Sequence, residues 1–335
     1  MSKIKEKNIT APQLITYGFA TIILVGATLL SLPISSQTGE ATNFLDALFT
    51  ATSATCVTGL TTLTTATHWS TFGHLVILTM IELGALGFMS LPVLFYLVTR
   101  KKVGLGMRIL LQQSLNSDRR TGEVSLMIYI LKNALLIQLA GFLLLAIDFI
   151  PRFGWKKGTW FSLFHAVSAF GNAGFDLFGD SLVGFQQNPW VLSIISGLII
   201  SGGLGFLVWS DVLSYKSVRR ISLHSKIALI VTATLLIFGT LGFMLTEGNA
   251  ASLAEGNVIH RFFNTIFMSV TPRTAGFFSV DYASMTHAGL LLTIILMFIG
   301  GTSGSTAGGF KTTTFGILII KLVCIFKGKE HTEFR

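Results

Sequence analysis

The chain has 335 residues, of which 51% are hydrophobic and only 12% are charged. A soluble domain carries about 25% charged residues, so a water-soluble globular protein is excluded. The two cysteines, Cys56 and Cys324, are too far apart for a disulfide framework, and the net charge of +9 is spread over alternate connections rather than gathered into a nucleic-acid-binding patch.

Six apolar segments of membrane length follow one another: Leu14–Leu32, Thr71–Val98, Leu126–Ile150, Pro189–Leu213, Ile227–Leu245 and Gly289–Ile325, the last interrupted. The first is long enough to span a bilayer and is not followed by an A-x-A cleavage pattern, so it reads as a retained helix rather than a signal peptide. Lys3, Lys5 and Lys7 precede it; Arg100, Lys101, Lys102, Arg108, Arg119 and Arg120 share one connection; Lys216, Arg219, Arg220 and Lys226 share another; Lys327, Lys329 and Arg335 close the chain. The intervening connections hold only Arg152, Lys156, Lys157, Arg261 and Arg273. Sixteen basic residues against five place the rich side, and the N-terminus, in the cytoplasm of a plasma (inner) membrane protein.

Each external connection contains a stretch too short to span: Asn43–Ala54, Trp160–Ala169 and Arg261–Val270. Aligned on a glycine, they read DALFTATSATCVTGL to Gly59, FSLFHAVSAFGNAGF to Gly174 and FNTIFMSVTPRTAGF to Gly276. Phe49, Phe164 and Ile266 then share a position, as do Ala54, Ala169 and Thr271. The expected architecture is all-α and integral to the membrane. Three helix–pore loop–helix units span 1–100, 101–221 and 222–335. Non-helical backbone is tolerated at membrane depth only where protein or water satisfies it. Three inward loops therefore predict a shared aqueous axis, with the negative ends of the short helices favouring a cation. Backbone carbonyls of Thr55, Cys56, Val57 and Thr58, of Phe170, Gly171, Asn172 and Ala173, and of Pro272, Arg273, Thr274 and Ala275 are the candidate ion ligands. Gly59, Gly174 and Gly276 allow the positive φ that turns such carbonyls. The plainer reading, ordinary external turns, suits one glycine better than three in register.

The stretch Gly300, Gly301, Thr302, Ser303, Gly304, Ser305, Thr306, Ala307, Gly308, Gly309 holds five glycines. At about 1 kcal/mol each relative to alanine, they predict an intramembrane loop that breaks the last helix. A phosphate-binding loop is disfavoured, because Phe310 stands where its lysine would be. Close helix packing explains one or two of these glycines. Lys311 opens the restarted half-helix and either sets the potential near the loop or snorkels to the cytoplasmic interface.

Thr55–Thr61, Ser168–Asp176, Ser269–Phe277 and Gly300–Thr314 together resemble the Trk/Ktr/HKT superfamily of potassium transporters, and most closely its Ktr-type ion-translocating subunits. The resemblance covers essentially the whole chain. It implies that the three glycines lie at the selectivity site, that Gly59 goes with potassium selectivity, and that the glycine-rich loop with Lys311 is the gate. It also implies potassium uptake driven by membrane potential, with sodium dependence left open, a homodimer in membrane lipid, and a cytosolic ring of nucleotide-binding RCK subunits. The transported ion is K+, with Na+ as the open second case. No cofactor, resident metal, nucleic acid or enzymatic activity is expected of this chain. The rival classes are a secondary transporter with two broken helices at a midplane site and a membrane assembly subunit. The family carries four repeats, so a stop at Glu333-Phe334-Arg335 reads as a truncation, the alternative being a natural three-repeat chain completed by another polypeptide.

Other charged or titratable groups are weighed singly. Glu82 either holds a cation or proton or hydrogen-bonds a neighbouring helix, Asp211 reads as solvated near the inner interface, and Asp176 faces the outer mouth or is simply solvated. Asp46 suits a helix N-terminus. His68, His165, His260 and His287 lack metal-ligand spacing. Arg273 is expected to point away from the axis and brace its loop.

Overall fold

The computed structural model describes residues 11–87, 123–218, 221–248, 253 and 257–328. Several sequence features lie outside these residues: Lys3, Lys5 and Lys7, the basic connection from Arg100 to Arg120, Arg219 and Arg220, Lys329, Arg335, the end of the second apolar segment, and the boundary at 100. Among the described residues the secondary structure is helical, without strands.

The helices are α1 Ala11–Ser31, α2 Phe44–Thr55, α3 Thr65–His68, α4 Thr71–Ala85, α5 Glu123–Phe153, α6 Trp155–Gly171, α7 Pro189–Leu204, α8 Phe206–Val218, α9 Leu223–Glu247, α10 Val258–Val270, α11 His287–Phe298 and α12 Thr312–Phe326. Their starts are chemically marked. Asn43, Ser70, Asn188, Ser222, Asn257 and Thr286 each stand at an N-cap and accept a backbone N–H of the first turn, satisfying a donor that the helix cannot. The short helices α2, α6 and α10 coincide with the three stretches expected to be too short to span. Each packs against the long helix before it: α2 on α1, α6 on α5, α10 on α9.

The exterior is apolar, and hydroxyls are buried among the core side chains. Leu135, Leu136, Leu139, Leu143 and Ile147 on α5, and Ile237, Phe238 and Leu241 on α9, are exposed, whereas Thr50, Ser53, Ser168, Asn172, Ser269 and Thr271 are buried. An apolar exterior, with polar groups turned inward where protein satisfies them, is what lipid as solvent demands. Helices α5 (from Ile128) and α9 are each long and apolar enough to cross a membrane alone.

One expectation about the segments needs correcting. Pro189–Leu213 is not one continuous span: it breaks at Gly205, which has φ +80°, and α7 and α8 meet at a bend of 96°. In the second segment α4 ends at Ala85, with Gly87 at φ +79°, and the rest of that segment, to Val98, lies outside the described residues. The break in the last segment is present, and it spans residues 299–311 between α11 and α12. The neck of this loop is closed on itself. Gly300 N–H donates to Phe310 O at 3.0 Å, Phe310 N–H to Phe298 O at 3.3 Å, and Thr312 N–H to Gly301 O at 3.0 Å, while the Phe298 and Phe310 rings stack at 5.5 Å.

Candidate ion-conduction site

Each short helix ends in the same backbone figure. Val57, Asn172 and Thr274 have φ of 57°, 58° and 68°, and two residues later Gly59, Gly174 and Gly276 have φ of 82°, 70° and 79°. The residues between them, Thr58, Ala173 and Ala275, are not in the left-handed region. Two backbone bonds set the turn in the first two loops: Thr58 N–H to Ser53 O and Ala173 N–H to Ser168 O, both 2.8 Å. In the third, Ala275 N–H reaches Thr271 O at 3.1 Å. Loops two and three are further closed by hydroxyls: Ser168 Oγ donates to Phe175 O at 2.7 Å and Thr271 Oγ1 donates to Phe277 O.

The three glycines meet. A methyl group placed on Gly174 would lie 2.8 Å from Gly276 Cα, one on Gly276 would lie 2.9 Å from Gly174 Cα, and one on Gly59 would collide with the Ala173 carbonyl oxygen. Positive φ and this crowding each require glycine.

Beside the glycines lies a cavity of about 760 Å³. Thr55, Cys56, Val57, Thr58 and Gly59 line it from the first loop, Pro272, Thr274 and Gly276 from the third, and Thr306, Ala307 and Gly308 from the glycine-rich loop. The second loop stands behind the wall, with Phe170, Asn172 and Ala173 buried. Arg273 and Ala275 are also off the lining. The Arg273 side chain is buried and runs to α9, where Nη2 donates to Thr232 Oγ1 at 3.4 Å. It points away from the cavity, as the sequence reading requires.

The glycine-rich loop is bonded in two directions. Towards the α7–α8 break, Thr302 N–H donates to Gly203 O at 3.0 Å, Thr306 N–H to Gly202 O at 3.3 Å, and Phe206 N–H to Gly304 O at 3.0 Å; Thr302 Oγ1 donates to Leu204 O at 2.5 Å. Towards the other loops, Asn172 Nδ2 donates to Thr306 Oγ1 at 2.9 Å, Thr306 Oγ1 donates to Phe170 O at 3.0 Å, and Gly308 N–H donates to Thr274 Oγ1 at 3.1 Å. Within it, Ser305 Oγ donates to Thr302 O at 2.7 Å, and Ser303 Oγ lies 3.3 Å from Thr313 Oγ1. Gly300, Gly301 and Gly309 form the neck; a methyl on Gly309 would fall 3.0 Å from Gly300 Cα. Lys311 is the N-cap residue of α12, which starts at Thr312. Its Nζ donates back to Ala307 O at 2.8 Å rather than reaching outward.

The remaining groups sort as follows. Glu82 Oε2 accepts from Gln138 Nε2 of α5 at 2.8 Å, the neighbouring-helix alternative. Asp211 is not merely solvated: it accepts from Ser222 and from Ser225 Oγ at 2.6 Å, joining α8 to the start of α9. Asp176 Oδ1 is engaged by the N–H groups of Phe178 and Gly179. Asp46 lies in the first turn of α2. His165 is fully buried and stacked on Phe178 at 4.3 Å, and no metal-binding cluster occurs among the described residues.

Sequence reasoning missed Phe19, Leu60, Gly84, Tyr282 and Met297 on the cavity wall, and the role of Gly84 and Gly202. A methyl on Gly84 would collide with the Thr55 carbonyl oxygen, and one on Gly202 with that of Phe170. Both carbonyls stand four residues before their loop glycine. A glycine in the helix after each of the first two loops, Gly84 and Gly202, was the available signal.

Short helices ending in loops that converge on glycines, within an all-helical fold of apolar exterior, define a multi-pass membrane transport protein. The TrkH family profile, described as a cation transport protein, matches residues 5–334, and the chain belongs to that family. Its members are ion transporters rather than enzymes. The chain is 57% identical over 333 residues to the potassium/sodium uptake protein NtpJ of Enterococcus hirae, covering 99% of this chain and 74% of that protein. It is 41% identical over 330 residues to the Ktr system potassium uptake protein B of Bacillus subtilis, covering 98% and 74%. In fold it is similar to the potassium transporter TrkH from Vibrio parahaemolyticus, with a TM-score of 0.69 at 15% identity, covering 100% of this chain and 67% of that one.

Proposed function

We propose that the chain builds the ion path of a potassium uptake system in the plasma membrane, with the glycine loops as selectivity filter and residues 300–309 with Lys311 as gate. One observation carries this reading: left-handed φ at the loop glycine and again two residues earlier, in three loops that converge. In an extended chain of uniform φ, successive carbonyls point to opposite sides. Alternating the sign of φ rotates the intervening peptide planes and brings successive carbonyls to one side, the arrangement that replaces an ion's hydration shell. The names of the relatives, potassium/sodium uptake and Ktr potassium uptake, support the choice of ion. At 100 mV inside negative, an entering monovalent cation gains about 2.3 kcal/mol, enough to drive uptake. Sodium remains the open second ion.

The reading includes three helix–loop–helix repeats, 1–100, 101–221 and 222–335, a cytoplasmic N-terminus from the charge asymmetry, a homodimer, and a cytosolic nucleotide-binding ring as regulator. The break at Gly205 supplies the second broken helix that a secondary transporter would have. That rival also needs inverted repeats, whereas the three loops share one backbone figure in one chain direction.

The test is uptake in potassium-deficient cells. Wild-type protein should restore growth at low potassium, and Gly59→Ser should admit sodium. Unaltered discrimination between the two ions in Gly59, Gly174 and Gly276 variants would remove the filter reading.

A further inference from the structure

The residue two before each loop glycine does more than shape the loop. Non-glycine residues at φ near +60° are uncommon, and β-branched ones are true outliers that persist only where neighbours hold them. Asn172 (φ 58°) and Thr274 (φ 68°) are both held by the glycine-rich loop. Asn172 Nδ2 donates to Thr306 Oγ1, and Thr274 Oγ1 accepts from Gly308 N–H. The third residue of the set, Val57 (φ 57°), has no hydrogen-bonding group in its side chain, and it shares the cavity wall with the loop.

Thr306 occupies a position that few side chains can fill. Its hydroxyl takes the Asn172 amide on a lone pair and spends its single proton on the Phe170 carbonyl at 3.0 Å. A hydroxyl can accept and donate at once; an alkyl group of the same shape can do neither. The bonds join residues 134 and 136 apart in sequence, so they link the second loop to the glycine-rich loop across the molecule.

We propose that Asn172, Thr306 and Thr274 form a latch: the same left-handed residues that orient the filter carbonyls grip the gate loop, so that releasing the loop and relaxing the second and third filter segments are one event. They act as positioning residues for transport. Breaking the latch shifts the loop towards its released position without removing a filter carbonyl. The proposal rests on the filter-and-gate reading above.

Thr306→Val deletes both bonds and keeps the branched shape; Thr306→Ser keeps both bonds. Thr274→Val keeps the branched shape and the backbone strain and deletes only the acceptor. Initial rates of rubidium uptake would be measured against concentration in potassium-deficient cells expressing the full-length proteins, with membrane amounts matched by immunoblot. Loss of a typical hydrogen bond from the closed state gives a shift of about fivefold in the open-to-closed ratio. Thr274→Val, which loses one bond, should therefore raise the maximal rate about fivefold and Thr306→Val, which loses two, between about fivefold and about 25-fold, each with half-saturation within about twofold of wild type, and Thr306→Ser should match wild type. A purely structural role would lower the rate and would not distinguish serine from valine in this way. The latch is overturned if Thr306→Val, correctly inserted, matches wild type or loses uptake, or if serine behaves as valine does. Should Thr306→Val fail to reach the membrane, Thr274→Val decides, and an unchanged maximal rate there overturns the latch. Gly59→Ser in the same cells separates the two readings: altered selectivity with an unchanged Thr306→Val rate removes the latch alone, and unaltered selectivity removes the filter on which it rests.

Discussion

Gly174 and Gly276 stand so close that a methyl group on either would come within 2.9 Å of the other's Cα. They are 102 residues apart, and both have positive φ. An alanine at either position therefore meets a backbone penalty of about 1–2 kcal/mol in addition to the collision. Gly174→Ala and Gly276→Ala should lose most potassium uptake while reaching the membrane normally. Gly184→Ala, with nothing within 4 Å and no positive φ, is the control and should retain wild-type uptake. Wild-type flux in either loop variant would show that the glycines are not at the constriction.

Cys56 is exposed on the cavity wall, whereas Cys324 is buried. A small cationic thiol reagent added to cells should block uptake in the wild type and leave Cys56→Ser unaffected. Equal inhibition of both proteins would place Cys56 outside the ion path.

Gly205 combines φ +80° with crowding: an added methyl would lie 2.7 Å from Thr302 Oγ1 and 3.0 Å from Gly304 O. Gly205→Ala should lower the melting temperature of the purified protein in detergent by several degrees, in line with a cost of about 1–2 kcal/mol, and reduce uptake. Gly197→Ala, inside α7 with open space around it, should be neutral or slightly stabilising. The same melting temperature for Gly205→Ala and wild type would mean that the bend is not fixed here.

Glu82 holds Gln138 through one carboxylate oxygen, a bond that a glutamine at position 82 can also accept. Glu82→Gln should therefore keep uptake within about twofold of wild type. Gln138→Leu, which strands the carboxylate, should destabilise by about 1–3 kcal/mol, read as a lower melting temperature. Abolished uptake in Glu82→Gln would instead assign the carboxylate to the ion path.

The short helices, their glycines and the interrupted last helix were legible because each is written locally: an apolar run of limited length, then glycine, or five glycines among hydroxyls. Gly202, Gly203 and Gly205 lie within an apolar run of spanning length, where small residues read equally well as packing, so the 96° bend was not visible. The left-handed conformations of Val57 and Thr274 run against the preference of β-branched residues; only the surrounding fold imposes them. The bonds of Thr306 and Asp211 depend on partners brought in by other segments, and no single stretch of sequence announces them.

The closed neck of the glycine-rich loop sets what kind of motion it can make. Gly300 with Phe310, and Gly301 with Thr312, tie the two ends together, so the segment between can swing as a flap while α11 and α12 keep their spacing and their depth in the bilayer. A piston-like helix displacement would feel the thickness of the surrounding lipid through mismatch; a hinged flap does not. Maximal uptake rates in vesicles of shorter and longer acyl chains should accordingly coincide, and a steep dependence on chain length would mean that whole helices move.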